Sequence, residues 1–191
     1  MFAFKKKYFL IVENTKDINL RNIKKYNKFI VIYRNHGLKE DIKDLINFRK
    51  ECKLKLVDFY VANDIKLSIS LRSDGIYLSS KNKSLKARAL KSSKYKIIGS
   101  SHNTSEINYK IKQGCDYILL SKLFRVDYSK NAPFLDVIKF NYFSNKYNNK
   151  LVPLGGIKID NLNKLKNIKC DGLALMSEIK KKPAKVINRL F

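Results

Sequence analysis

The chain has 191 residues, and 45% of them are hydrophobic, a composition that suits one globular domain with a sizeable core. Lysine and arginine number 41 against 16 aspartates and glutamates, which gives a formal net charge of +25. The lysines are spread along nearly every segment and no apolar run approaches the length of a membrane span, so neither a nucleic-acid-binding protein nor a membrane partner is favoured.

Short apolar runs alternate with longer, lysine-rich segments of helical periodicity along the chain. This alternation predicts repeated βα units with a buried parallel sheet. Strands are predicted at 8–12, 29–33, 56–61, 75–78, 96–100, 117–120, 151–154 and 172–176. Helices are predicted between and after them, at 20–25, 38–53, 65–71, 84–91, 105–113, 135–146, 161–167 and 183–190.

Eight such units predict an α/β fold, a compact (β/α)8 TIM barrel in which residues 1–191 form a single domain. An open doubly wound sheet fits less well, because it usually has fewer strands and a Gly-x-Gly-x-x-Gly loop that this sequence lacks. The usual barrel has about 250 residues, so we expect trimmed helices and loops. The longest loop is predicted at 124–134, on the face of the barrel where active sites lie.

The three cysteines, Cys52, Cys115 and Cys170, are far apart and include no Cys-x-x-Cys pair. Their odd number and their spacing predict neither a disulfide framework nor a zinc site. We expect each to fill a small apolar position beside a strand, in a protein of the reducing cytoplasm.

Two successive strands end at residues suited to hold a phosphate. The seventh predicted strand is followed by Gly155 and Gly156, and the eighth ends at Met176 before Ser177. Glycine lets backbone N–H groups approach a ligand, and helix N-termini add partial positive charge. Because (β/α)8 barrels keep a phosphate at the loops after their last two strands, we predict a phosphate site here. A plain strand-to-helix turn is the alternative for the glycine pair.

The other predicted strand ends carry mainly arginine, asparagine, serine and lysine, with one well-placed carboxylate, Asp64. This mixture suits phosphate groups and a magnesium ion. It does not suit hydrolysis by a pair of facing carboxylates. A salt bridge between Arg34 and Asp64 at the rim of the barrel is the structural alternative for those two residues.

Four segments resemble thiamine-phosphate synthase and its relative, the thiazole tautomerase: 97–103 (IIGSSHN), 114–117 (GCDY), 154–157 (LGGI) and 171–177 (DGLALMS). Asn63-Asp64 and the segment 73–78 extend the resemblance upstream. It covers most of the chain and is most specific in the second half.

The resemblance implies a (β/α)8 barrel that joins hydroxymethylpyrimidine diphosphate to thiazole phosphate and releases diphosphate with magnesium. It implies that the thiazole phosphate is bound by Gly155, Gly156, Met176 and Ser177. It also implies roles on the diphosphate side. There Arg34, Asn63 and Lys130 bind the diphosphate, Asp64 binds magnesium, and Ser100 contacts the pyrimidine substrate or its diphosphate, with Lys130 and Ser100 as the catalytic residues.

The sequence departs from the family pattern at several of these places. Only Arg34 remains of a Gln-x-Arg-x-Lys signature, and Asn82 stands where a second magnesium carboxylate is expected. The lysine of the sixth loop comes one residue late, at Lys130, and Lys122 stands where the tautomerase has a histidine. Lys81 or Lys122 is a candidate substitute source of positive charge.

The leading hypothesis is therefore a transferase of the thiamine-phosphate synthase type with reduced dependence on magnesium. The alternative is a non-catalytic relative that senses a phosphorylated small molecule or binds a partner. A third hypothesis, a basic nucleic-acid-binding protein, requires a continuous positive stripe. The sequence leaves turnover, the exact ligand and a homo-oligomer open.

Overall fold

The computed structural model describes residues 7–23, 28–35, 37, 40–92, 94–128, 131–148 and 150–181. Eight parallel strands run through this part of the chain: β1 Lys7–Val12, β2 Phe29–Tyr33, β3 Asp58–Ala62, β4 Gly75–Leu78, β5 Lys96–Ser101, β6 Tyr117–Ser121, β7 Leu151–Leu154 and β8 Gly172–Leu175. All eight predicted strands are confirmed, and the fold is the predicted (β/α)8 barrel. Their spatial order is β7-β6-β5-β4-β3-β2-β1-β8.

The strands β7 and β8 are the two ends of this order, and they lie side by side so that the barrel is nearly closed. A Cβ on Gly172 would lie 3.3 Å from Cγ2 of Val152. The Lys150 and Leu154 carbonyls accept hydrogen bonds from the β6 side. Because backbone groups alternate in direction along a strand, the backbone nitrogen of Pro153 faces β8. Proline has no N–H, so this position donates no hydrogen bond to β8.

Five α-helices pack outside the described strands: α1 Ile42–Leu54, α2 Ile65–Ser70, α3 Thr104–Lys112, α4 Asp136–Lys146 and α5 Ser177–Lys181. The helix predicted at 38–53 begins at Ile42, because the Asp41 side chain caps its first turn by accepting from the Lys43 N–H at 2.9 Å. No described helix is both long enough and apolar enough to cross a membrane.

Three of the predicted helices are wrong in type, because the structure has 3-10 helices there: Leu20–Asn22, Lys86–Leu90 and Ile159–Asn167. A 3-10 helix rises about 2.0 Å per residue against about 1.5 Å in an α-helix. It therefore spans the return from one strand to the next with fewer residues, which suits a shortened barrel. The helix predicted at 183–190 lies outside the described residues.

The hydrophobic core has two layers because side chains alternate along each strand. One layer fills the barrel: Phe9, Ile11, Ile30, Ile32, Tyr60, Tyr77, Ile98, Leu119, Val152 and Ala174. The other lies between the strands and the helices and includes the buried Cys52 and Cys115. Cys170 is half-buried, and all three cysteines are free thiols.

Candidate functional site

A cavity of about 230 Å³ opens at the carboxyl ends of β7 and β8. The turns that follow both strands line it. The residues predicted to hold a phosphate are all among its lining residues: Gly155, Gly156, Met176 and Ser177. Two turns that are separate in the sequence therefore face one space large enough for a small anion.

The structure gives a second reason for the glycine pair, beyond the predicted ligand contact. Both residues have positive φ, +91° at Gly155 and +71° at Gly156. A Cβ on Gly156 would lie 2.4 Å from the carbonyl oxygen of Phe124 and 2.6 Å from that of Arg125. The Phe124 N–H also donates to the Gly155 carbonyl at 3.1 Å. Gly156 thus allows the loop after β6 to pack against this turn.

Of the described residues that line the cavity, three carry a charged side chain: Asp127, Lys158 and Glu178. Nζ of Lys158 lies 2.5 Å from Oδ1 of Asp127, which joins the loop after β6 to the turn after β7. The hydrogen bond with Asp127 raises the pKa of Lys158. Both partners are solvent-accessible, so the pair contributes little to stability. The sequence signalled none of these three residues, since their proximity depends on the packing of the loops.

A second cluster of predicted residues lies beyond the ends of β3 and β4. Asn63 has a positive φ of +62°. Its Oδ1 accepts hydrogen bonds from the Ser79 N–H at 3.0 Å and from Nδ2 of Asn82 at 3.1 Å. Asn63, Asp64 and Asn82 all line one open cavity of about 570 Å³. The structure thus brings together three residues that the resemblance assigns to the diphosphate and the metal.

The side-chain oxygens of this cluster do not provide a complete set of protein ligands for a magnesium ion, because several of them already accept hydrogen bonds. Oδ1 of Asp64 caps α2 by accepting from the Leu67 N–H at 2.9 Å. Oδ1 of Asn82 accepts from the Ser84 N–H at 2.9 Å, and that of Asn63 already accepts two hydrogen bonds. No group of three His, Cys, Asp or Glu side chains that could hold a metal occurs among the described residues.

The expected alternative for the rim, a salt bridge between Arg34 and Asp64, is not among the ion pairs of the described residues. Arg34 instead lies close enough to Tyr77 to influence its hydroxyl. Burial raises the pKa of Tyr77, while a hydrogen bond with Ser100 and the charge of Arg34 act in the opposite direction. The Tyr77 hydroxyl thus lies within the electrostatic influence of two predicted site residues, Ser100 and Arg34. The inward position of Tyr77 in β4 was the available sequence signal for this proximity.

The loop after β6 contains the predicted catalytic Lys130, which lies outside the described residues. At the start of the loop, Oγ of Ser121 lies 2.9 Å from Nδ1 of His102, which follows β5. The His102 N–H donates to Oε2 of Glu106 at 2.7 Å. The first contact joins the ends of β5 and β6, and the second joins the turn after β5 to the first turn of α3.

Comparisons with known proteins agree on one family. A family model described as thiamine monophosphate synthase matches residues 16–179. The thiamine-phosphate synthase of Prochlorococcus marinus subsp. pastoris is 30% identical over 140 residues, which are 73% of this chain and 40% of that protein. The thiamine-phosphate synthase of Bacillus cereus is 29% identical over 144 residues, which are 72% of this chain and 65% of that protein. The match thus spans well under half of the first relative.

Solved structures of low sequence identity share the fold. Thiamine phosphate pyrophosphorylase from Pyrococcus furiosus has a TM-score of 0.77 at 17% identity, covering 98% of this chain and 95% of that chain. A 3-hexulose-6-phosphate synthase has a TM-score of 0.66 at 11% identity, covering 96% of this chain and 97% of that chain. At these identities the likeness shows the barrel alone.

Proposed function

The chain belongs to the thiamine monophosphate synthase family, and on this basis we propose that it joins hydroxymethylpyrimidine diphosphate to thiazole phosphate. The C–O bond to the diphosphate breaks with its electron pair going to the leaving group, and a C–N bond to the thiazole nitrogen forms. The observation that carries the proposal is the single cavity shared by the turns after β7 and β8. The curated relatives named thiamine-phosphate synthase support it.

In this proposal the cavity at β7 and β8 takes the thiazole phosphate. The backbone N–H groups of the glycine pair and the hydroxyl of Ser177 are the donors. The carboxylates of Asp127 and Glu178 repel a phosphate dianion, and both line the same cavity. Lys158 is the compensating cation, and it binds the phosphate by exchanging its carboxylate partner for the ligand.

The diphosphate lies on the other side of the barrel mouth in this proposal. Arg34, Asn63 and Lys130 bind it, and Ser100 contacts the pyrimidine substrate. Negative charge grows on the departing diphosphate, so fixed cations and N–H donors at that place lower the barrier. Asp64 would be the carboxylate next to a magnesium ion, which supplies further positive charge to the diphosphate when bound. Because the other donors do not fit, the proposal assigns no step to the metal.

Coupled synthesis with both substrates tests the proposal, with thiamine phosphate measured as product in the presence and absence of magnesium. We expect turnover, and we expect Lys130→Ala to lower its rate at least about 100-fold, the typical effect of removing one electrostatic contact. Lys112→Ala, which removes an exposed lysine on α3, is the charge-matched control and should leave the rate unchanged.

Calorimetry with thiazole phosphate and thiamine phosphate separates the two hypotheses for this site. Binding of either ligand without turnover would support the non-catalytic alternative. No heat from either ligand, with folding verified by circular dichroism, would overturn the phosphate site itself.

A further inference from the structure

Helix α3 carries a lysine side chain that is completely buried. Lys110 has an exposed fraction of 0%. Its Nζ donates to the carbonyl oxygens of Ser79 at 2.7 Å and Asn82 at 2.9 Å, and to Oε1 of Gln113 at 2.8 Å. These three acceptors use all three N–H bonds of the ammonium group. Lysine is almost never fully buried unless it is paired. Here the surrounding loop and Gln113 supply the hydrogen-bond acceptors that make its burial possible.

The surroundings of Lys110 leave its positive charge without a hydrogen-bonded carboxylate, because all three acceptors are neutral. Room for its stem comes from Gly99 of β5, where a Cβ would lie 2.8 Å from Cδ of Lys110. Burial lowers the pKa of Lys110 to about 8, and the charged or titratable groups that act on it are Cys115, Lys83 and Glu106.

Gln113, at the end of the same helix, binds the same loop. Its Nε2 donates to the carbonyl oxygens of Asn82 at 3.1 Å and Ser84 at 2.7 Å. The side chains of Lys110 and Gln113 thus hold three carbonyl groups of the loop 79–84, which follows β4. On its other side the loop donates two hydrogen bonds to Oδ1 of Asn63, from the Ser79 N–H and from Nδ2 of Asn82.

We propose that Lys110 is a positioning residue for diphosphate binding, because it holds the loop 79–84 and through it the Asn63–Asn82 pair. The inference rests on the proposed function, which places the diphosphate at this pair. On the side facing α3 the loop is held by hydrogen bonds from Lys110 and Gln113, and Lys110 is the one of the two that carries a charge. The ammonium group of Lys110 adds one fixed positive charge beneath the loop, which favours an anion above it.

Affinity for inorganic diphosphate, measured by calorimetry without added metal, tests the inference. Lys110→Met keeps an unbranched stem of four atoms and removes the ammonium group with its charge and donors. Lys112→Met removes an exposed charge from the same helix and is the matched control. At pH 7 we expect Lys110→Met to bind diphosphate at least tenfold more weakly than the unaltered protein, and Lys112→Met to bind within twofold of it. Equal affinities of the two folded variants would overturn the inference.

The pH dependence of diphosphate affinity distinguishes the ammonium form of Lys110, with its charge and three donors, from a side chain that only fills space. Above pH 8 the unaltered protein loses the charge of Lys110, so its advantage over Lys110→Met should narrow at pH 9.5. The ratio of diphosphate affinities between the unaltered protein and Lys112→Met should stay constant, because the ionisation of diphosphate itself affects both proteins equally. If the unaltered protein bound diphosphate more tightly than Lys110→Met by the same factor at both pH values, the charge of Lys110 would not contribute to binding.

Hydrogen exchange of the ligand-free protein tests the loop separately from the proposed function. We expect faster exchange of the amides at 79–84 in Lys110→Met, and no change in Lys112→Met. Gln113→Leu keeps the charge but removes two loop hydrogen bonds, and it carries the same test where Lys110→Met does not fold. Unchanged exchange in these variants overturns the inference even if the protein binds diphosphate. Absence of diphosphate binding by the unaltered protein overturns the proposed site and the role of Lys110 in it.

Discussion

Gly155 and Gly156 are adjacent and both have positive φ, yet the space around them differs. A Cβ on Gly155 would come no closer than 3.4 Å to its neighbour Lys122, which is an ordinary contact. The same atom on Gly156 would overlap the backbone of Phe124 and Arg125. The second glycine is therefore required by packing as well as by its backbone conformation, and the first by conformation only.

This difference predicts unequal effects of two neighbouring substitutions. Gly155→Ala should cost about 1 kcal/mol, the strain of a side chain at positive φ. Gly156→Ala should cost about 3 kcal/mol, because overlap with the loop after β6 is added to that strain. Urea unfolding measures both costs, and calorimetry with thiazole phosphate should show the greater loss of binding in Gly156→Ala. Equal costs would mean that the loop moves aside freely.

At the scale of elements, an aspartate lies just before β4 and another just before β6. The carboxylate of each accepts one hydrogen bond from a backbone N–H of the preceding strand, and so adds one bond between neighbouring strands. Oδ2 of Asp74 accepts from the Phe59 N–H of β3 at 2.8 Å. Oδ2 of Asp116 accepts from the Ile97 N–H of β5 at 2.9 Å. Each also pairs with a cation, as Asp116 does with Lys91 at 3.0 Å. The same contact between a carboxylate and a backbone N–H thus occurs twice at the amino ends of the strands. In (β/α)8 barrels the residues at this end contribute to stability and not to the active site.

Asp116→Ala should therefore destabilise the protein by about 2 kcal/mol, because it leaves the Ile97 N–H without this acceptor and Lys91 without its carboxylate. Asp160→Ala, at an exposed aspartate of the 3-10 helix Ile159–Asn167, is the control and should change stability by less than about 0.5 kcal/mol. The free energy of unfolding in urea is the measurement. A loss no larger than that of the control would show that the side-chain bond is dispensable.

At the scale of the whole molecule, a highly charged surface encloses an interior that favours neutral groups. Burial raises the pKa of the Cys52 and Cys115 thiols and of the Tyr33 hydroxyl to about 12. It raises that of Tyr60 and lowers that of Lys110, so each shift is toward the uncharged form. Among the described residues Lys110 is the one buried side chain that carries a charge at pH 7, and the other described charged side chains lie at least partly at the surface.

This interior predicts a pH dependence that one thiol can report. The Cys52 thiol ordinarily ionises with a pKa of 9.0, and burial raises this value to about 12. From pH 9 upward the unfolded chain loses its proton first, so the stability that Cys52 contributes is full below pH 9 and is lost as the pH rises. The destabilisation caused by Cys52→Ala should be smaller at pH 10 than at pH 7, by about 1 kcal/mol. A difference that is independent of pH would contradict a neutral, dry environment for this thiol.

The strands were the most predictable part of the fold, because strands of a buried parallel sheet are almost continuously apolar. The short connections were less predictable. A segment such as Lys86–Leu90 has too few residues for its periodicity to distinguish a 3-10 helix from an α-helix. Met176 and Ser177 were assigned to a shared site because the ends of parallel strands meet at one face of a barrel.

The sequence by itself determined the order and number of the strands, the barrel, and which strand ends face the same solvent. These follow from local hydrophobicity and from the geometry of a parallel sheet. Only the tertiary structure decided how side chains of distant segments are partnered: Asn63 with Asn82, Lys158 with Asp127, and Lys110 with a loop 28 to 31 residues away. Such pairings depend on distances between segments that are remote in the chain, and neither composition nor periodicity records those distances.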